Sequence, residues 1–244
     1  MIPKIIHYCW FGRGEKPKKI QECINSWYQH LPDYQIIEWN EDNFDVNALQ
    51  YTKDAYEAKK YAFVSDVARV KALYEMGGIY LDTDVEVFKS FDEILNNKCV
   101  LGFESENYVA TSFMASEPKY SLMKEFYDLY TDIKFYDENG NIVSGTNVSK
   151  LTDMLLNKGL KRNNRFQTIE NDIVIYPKEY FSPYEYGYGV YQYTDNTICV
   201  HHFEVSWLPK RTKYFRIIKK YLCKIIGYER TKKLRNFIKE NRCD

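Results

Sequence analysis

Near the start of the chain, two short apolar runs, residues 5–11 (IIHYCWF) and 34–40 (YQIIEWN), flank a segment with apolar residues at Ile20, Ile24, Trp27 and Leu31. The two runs read as strands, and the spacing between them reads as a helix that stops before Pro32. A strand, a helix and a second strand in that order make a parallel α/β unit, and they argue against an all-helical or all-β fold. Residues 52–76 are helical in pattern, with a break expected near 63–65 where Ser65 caps a new segment ahead of Asp66. Gly77 and Gly78 then stop the helix, since glycine accepts positive φ without strain. IYLDTDVEVF (79–88) follows as a third strand and CVLGFE (99–104) as a fourth. Residues 118–130 and 147–159 read as helices, and DIVIYP (172–177) and TICVHHF (197–203) as later strands. No internal repeat or low-complexity segment interrupts this pattern.

The 244 residues suffice for one sizeable domain with a small appendage. Lys plus Arg and Asp plus Glu both number 34, so overall charge gives no reason to expect a nucleic-acid partner. The balance conceals an asymmetry: from residue 210 on, thirteen Lys or Arg stand against three acids, and the preceding residues carry about ten net negative charges. Within 212–226, Tyr214, Ile218, Tyr221 and Ile225 share one helical face while basic residues fill the other. The division expected is a catalytic domain over 1–209 and a basic amphipathic helical tail over 210–244. That tail either packs on the domain with a solvated basic face or rests on anionic lipid headgroups. Six cysteines without CxxC spacing read as free thiols of a reducing compartment. The first residues lack the form of a secretory signal, so the expected location is cytoplasmic, peripheral at the inner face of the plasma membrane.

The chemistry concentrates around Asp82 and Asp84. Residues two apart on a strand project to one face, and two carboxylates inside an apolar run need a partner or a metal. Converging oxygens suit a hard divalent cation, Mn²⁺ or Mg²⁺, shared with phosphates. For a bare D-x-D the plainer reading is two solvated acids at a strand end; here the flanking Ile79, Tyr80, Leu81, Val85 and Val87 set the pair at the edge of a core. On the preceding helix Asp66 and Arg69 are three apart, which makes an intrahelical ion pair the default and contact with a sugar, ribose or phosphate the functional alternative. His201 and His202 are adjacent on a strand, so only one of them easily faces a metal.

Four stretches in order, IPKIIHYCWFG, SDVARVKALYEMGGIYLDTDVEVF, IYPKEYFSP and HHFEVSW, resemble glycosyltransferase family 32, the DxD-containing sugar transferases that include capsular and lipopolysaccharide enzymes, yeast mannosyltransferases and, more distantly, glucosylating toxins. The resemblance covers roughly residues 1–208 and rests on S-D-x-x-R followed by G-G-x-Y-x-D-x-D. It implies a GT-A fold: an α/β domain with a Rossmann-like nucleotide-binding half and a mixed central sheet. It also implies retaining hexosyl transfer from a nucleotide-sugar, a UDP-sugar, with Mn²⁺ (or Mg²⁺), to a surface polysaccharide or lipid-linked oligosaccharide. By the same resemblance Trp10 stacks on the base and Cys9 meets it through its backbone. Asp66 and Arg69 serve the donor ribose or sugar, Asp82 contacts ribose or sugar, and Asp84 ligates the metal. His202, with His201 as the alternate, and Ser206 sit near the metal and diphosphate, and Trp207 holds the leaving phosphate. Asp82, Asp84 and Arg69 form the expected catalytic set. The chain departs from its relatives at SGTNVSKLT, where Thr146 replaces a proline, and at Glu204. Two competing readings are a nucleotide-sugar-binding protein without transferase activity and a nucleotide-sugar hydrolase.

Overall fold

A computed structural model of the protein describes residues 1–143, 145–203, 221, 223, 225–231 and 233. The opening unit forms as its periodicity requires: β1 (Ile5–Cys9), α1 (Lys18–His30) and β2 (Gln35–Trp39), with β1 and β2 parallel. The helix buries Ile20, Cys23, Ile24 and Trp27. Next come α2 (Gln50–Glu57), α3 (Tyr61–Met76), β3 (Gly78–Leu81), β4 (Val85–Val87), β5 (Cys99–Gly102) and β6 (Phe113–Ser116). They are followed by α4 (Ser121–Asp132), α5 (Asn147–Asn157), β7 (Gln167–Ile169), β8 (Ile173–Tyr176), β9 (Tyr184–Glu185), β10 (Val190–Tyr191) and β11 (Cys199–His201).

Seven strands make one sheet in the order β2-β1-β3-β6-β5-β8-β7. β1 is parallel to β2 and β3, whereas β6 runs antiparallel to both of its neighbours, so the sheet is mixed. Alternate residues of the central strands feed two apolar layers. Ile79, Leu81, Val100, Phe113 and Ala115 pack with Trp27 and Ile24 on one face. Tyr80, Leu101 and Met114 pack with Val67, Leu73, Phe126 and Leu151 on the other. Burial on both faces explains why these strands read as unbroken apolar runs rather than as alternation. Each such fully buried side chain contributes about 1.5–3 kcal/mol. Because β1 leads through α1 to one neighbour, β2, while β3 returns on the other side, the chain reverses direction between β1 and β3. Ligands bind at the carboxyl ends of strands at such a switch point.

Three local expectations are corrected. The helical stretch breaks at 58–60 rather than 63–65: Lys59 has φ 56°, and the Lys60 amide donates to the Ala55 carbonyl at 2.8 Å. Ser65 does not cap; it lies inside α3 and its hydroxyl donates to the Tyr61 carbonyl at 3.1 Å. The third strand is not continuous. It ends at Leu81, turns through Asp82, Thr83 and Asp84 with the Val85 amide on the Asp82 carbonyl at 3.0 Å, and resumes as β4, which leaves the main sheet to pair with β11. At the other end of β3, Gly77 (φ 66°) terminates α3, and Gly78 (φ 103°) passes so close to β1 that a Cβ there would lie 2.6 Å from the Ile5 carbonyl oxygen.

The boundary at 209/210 and most of the tail lie outside the described residues. Of those described, Tyr228 sets its ring edge-on to Tyr188 at 5.2 Å, Cys223 and Thr231 are buried, and Tyr221 and Ile225 are exposed. Among the described residues no helix is long and apolar enough to cross a membrane.

Candidate active site

The turn between β3 and β4 places Asp82 and Asp84 at the carboxyl edge of the sheet. The Asp82 amide donates to the Ser112 carbonyl at 2.9 Å, anchoring the turn to the segment entering β6. On the neighbouring β11, His201 stands opposite Val85 in an antiparallel register. That register brings its Nε2 to 3.2 Å from Asp84 Oδ1 and 3.9 Å from Asp82 Oδ2. One potential ligand atom from each of Asp82, Asp84 and His201 falls within 4.8 Å of the others. Burial disfavours a charged imidazole, yet the carboxylates of Asp84 and Asp82, with Glu104, outweigh it and raise His201 to about 9. The pocket therefore stabilises positive charge at this point. His201 Nδ1 is buried with no hydrogen-bond partner among the described residues.

The two histidines diverge as the strand dictates, but the one in the cluster is His201, not His202. His202 turns to the opposite face, with Nε2 2.8 Å from Glu86 Oε2 and Nδ1 2.8 Å from the Tyr191 hydroxyl. It ties β4 to the β9–β10 hairpin. No spacing rule distinguishes the two residues; the register of β11 on β4 does.

Arg69 reaches this edge from α3. The expected pair with Asp66 is present at 3.0 Å, and a second one spans to Asp82 at 3.1 Å. The guanidinium also donates to the Thr111 carbonyl at 2.7 Å and the Ser65 carbonyl at 3.2 Å, and its carbon lies 4.5 Å from the Tyr80 ring centroid. Arg69 is 5% exposed, so its donors are committed to holding other groups in place. Burial pushes the Asp66 carboxyl up to about 6 against the pull of Arg69. Asp66 also accepts a hydrogen bond from the Asn147 amide at 3.1 Å, and Tyr130 donates to Asn147 at 2.6 Å. Asn147 opens α5, where the Thr146 hydroxyl caps the Ser149 amide at 3.1 Å. The SGTNVSKLT stretch thus enters the site through Asn147, a residue the sequence did not single out.

Trp10 leaves β1 at the same edge. Its amide donates to the Trp39 carbonyl at 2.9 Å, its indole nitrogen to the Gly14 carbonyl at 2.6 Å, and Lys16 Nζ lies 5.5 Å from its ring centroid. These contacts hold a half-buried aromatic face beside the switch point. Burial raises the neighbouring Cys9 thiol to about 12, so Cys9 is no nucleophile. Beneath them His7 is enclosed: its Nε2 donates to the Gly77 carbonyl at 2.8 Å while Nδ1 accepts from the Trp39 indole at 3.1 Å. Ser206 and Trp207 lie outside the described residues. Glu104, just beyond β5, was missed because a single acid after an apolar strand carries no periodic signal.

Residues 17–101 match the family described as the glycosyltransferase sugar-binding region containing the DXD motif. The chain is 33% identical over 99 residues to inositol phosphoceramide mannosyltransferase 3 of Schizosaccharomyces pombe, covering 39% of this chain and 28% of that protein. It is 27% identical over 191 residues to mannosyl phosphorylinositol ceramide synthase CSH1 of Saccharomyces cerevisiae, covering 74% and 49%. A solved glycosyltransferase involved in the glycosylation of the major capsid of PBCV-1 aligns over 87% of this chain and 99% of its own at a TM-score of 0.45 and 10% identity. The chain spans about half, or less, of the length of these curated relatives. An α/β domain with a D-x-D turn at the end of its third strand is the class of protein that fold and site define. Over residues 17–101, which hold that turn, the chain is similar to the DXD-containing glycosyltransferases.

Proposed function

We propose that this protein is a retaining, metal-dependent hexosyltransferase that moves a sugar from a UDP-sugar to a surface polysaccharide or lipid-linked oligosaccharide. The observation that carries the reading is the Asp82, Asp84 and His201 cluster at the sheet's switch point, with Arg69 locked against Asp82. Two carboxylates and an imidazole make an oxygen-rich donor set suited to Mn²⁺ or Mg²⁺, and the field that raises His201 favours a cation at the same place. Asp84 and His201 would hold the ion, with Asp82 beside them. When bound, such an ion supplies Lewis-acid neutralisation of the charge that develops on a departing diphosphate.

The remaining work is positional. Trp10 offers its face to the base, and Asp66 and Asp82, fixed by Arg69, present oxygens to ribose or sugar hydroxyls. Retention requires the acceptor hydroxyl to approach the face from which the phosphate leaves, so its proton passes to the departing phosphate oxygen. The lipid-linked acceptor draws support from the yeast relatives, an inositol phosphoceramide mannosyltransferase and a mannosyl phosphorylinositol ceramide synthase. A place in capsular or lipopolysaccharide synthesis on the cytoplasmic face of the plasma membrane rests on the resemblance and on the basic composition after residue 210.

The test is nucleoside-diphosphate release from a panel of UDP- and GDP-sugars, with Mn²⁺ and then with chelator, beside titrations of Mn²⁺ and UDP binding. Release from one UDP-sugar that chelator stops and that Asp84→Ala or His201→Ala reduces at least a hundredfold supports the reading. Metal-independent release, or Mn²⁺ affinity unchanged in both variants, refutes it.

A further inference from the structure

One carboxylate at this edge belongs to none of the groups above. β3 and β5 are both antiparallel to β6, so they run the same way and their ends leave the sheet together. Glu104, just beyond β5, therefore emerges at the edge that carries Asp82, with one strand between them, about 10 Å across the sheet. Its backbone is fixed: the Glu104 amide donates to the Tyr108 carbonyl at 2.9 Å, and Phe103 bridges to Val109. The side chain is partly buried, and no described residue donates a hydrogen bond to its carboxylate, which stays open to solvent. An ionised carboxylate is acceptor-only, so one that no neighbouring side chain engages is available to a hydroxyl entering this edge. Burial first, then the charges of His201 and Asp82, act on this carboxyl and place it at about 7. It is thus within electrostatic reach of the cluster without being one of its three members.

An aromatic wall adjoins the same histidine. The Phe203 ring lies against His201 with centroids 3.9 Å apart, and Tyr186 and Tyr184 continue it at 5.1 and 5.9 Å from Phe203. A flat apolar face and an available hydrogen-bond acceptor, both neighbouring His201, suit a pyranose, whose ring faces are apolar and whose rim carries hydroxyls.

We propose that Glu104 and the Phe203–Tyr186 wall bound the acceptor subsite. The Glu104 carboxylate accepts the hydrogen bond of the attacking sugar hydroxyl, and the rings take the face of that sugar. The assignment rests on the glycosyl-transfer reading. In the transfer step the hydroxyl oxygen bonds to the anomeric carbon, the carbon–oxygen bond to phosphate breaks with its electron pair going to the phosphate oxygen, and the hydroxyl proton ends on that oxygen. Glu104 orients the hydroxyl and is unchanged.

The experiment follows UDP release from the active UDP-sugar as p-nitrophenyl glucosides, galactosides and mannosides are added, for wild type, Glu104→Gln, Glu104→Ala and Glu104→Asp. The expected result is a glycoside that stimulates the wild type, with stimulation reduced at least tenfold in the Gln and Ala variants, partly restored in Asp, and affinity for Mn²⁺ and UDP within twofold throughout. Stimulation unchanged in Glu104→Ala overturns the assignment. So does a loss of Mn²⁺ and UDP affinity equal to the loss of turnover, which makes the residue structural. Wild-type protein that neither binds UDP with Mn²⁺ nor releases UDP overturns the glycosyl-transfer reading itself, and the assignment with it.

Discussion

Replacing Arg69 by Met removes a cation that Asp66 and Asp82 share while leaving most of the buried volume filled. Both ion pairs, at 3.0 and 3.1 Å, and the donor to the Thr111 carbonyl vanish together. Breaking a buried ion pair by removing one partner costs about 3–5 kcal/mol, because the remaining charge is left uncompensated. The Asp66 and Asp82 side chains keep 17% and 26% of their surface in water, which places the loss near the lower figure, ~3 kcal/mol. For a domain of this size that is a fall in Tm of about 6–12 °C. The loss also depends on pH in a defined direction. Asp66 titrates at about 6 even beside Arg69 and goes higher without it, so acid neutralises the stranded charge. Urea denaturation at pH 8 and pH 5 will show a larger penalty at pH 8, and Asp66→Asn added to Arg69→Met will recover part of it. A penalty under ~1 kcal/mol at pH 8 would mean that the guanidinium is readily replaced by water and is no lock at all.

Three other outcomes follow from the same structure. Gly78→Ala, with φ 103° and a Cβ 2.6 Å from the Ile5 carbonyl oxygen, will destabilise by ~2 kcal/mol or more, whereas Gly14→Ala, which meets nothing within 4 Å, will change thermal stability by under ~0.5 kcal/mol. Burial lowers His7 from its ordinary 6.5 to about 4 despite its bond to Gly77. Between those values the unfolded chain holds a proton that the folded one refuses, so stability falls as pH drops through that window, by ~3 kcal/mol in total, and is flat in this residue's contribution above 6.5; a stability–pH slope identical in wild type and His7→Gln would disprove it. Trp10→Ala will weaken UDP binding about tenfold, the value of one lost base stack, with the fold intact by circular dichroism; unchanged affinity would place the base elsewhere.

Element types were legible wherever one physical signal dominated. The alternating four- and three-residue spacing of Ile20, Ile24 and Trp27 specified α1, and the double glycine ended α3 at Gly77 as expected. The helix break was misplaced because its left-handed residue is Lys59, where a lysine gives no conformational signal, while Ser65 offered a cap that the turn did not need. β6, β7 and the β9–β10 hairpin went unread, being two to four residues long and stabilised by neighbours rather than by their own pattern.

By itself the sequence determined the parallel α/β opening and the Asp66–Arg69 pair, because each depends on local periodicity, and periodicity is written along the chain. Tertiary structure decided the rest. It broke the third strand into a turn at the carboxylates, chose His201 over His202 through the register of β11 on β4, joined Arg69 to Asp82, and brought Asn147 and Glu104 to the same edge. Those outcomes depend on which strand lies beside which, and pairing across long sequence separations is fixed by the burial of whole faces rather than by any residue's neighbours.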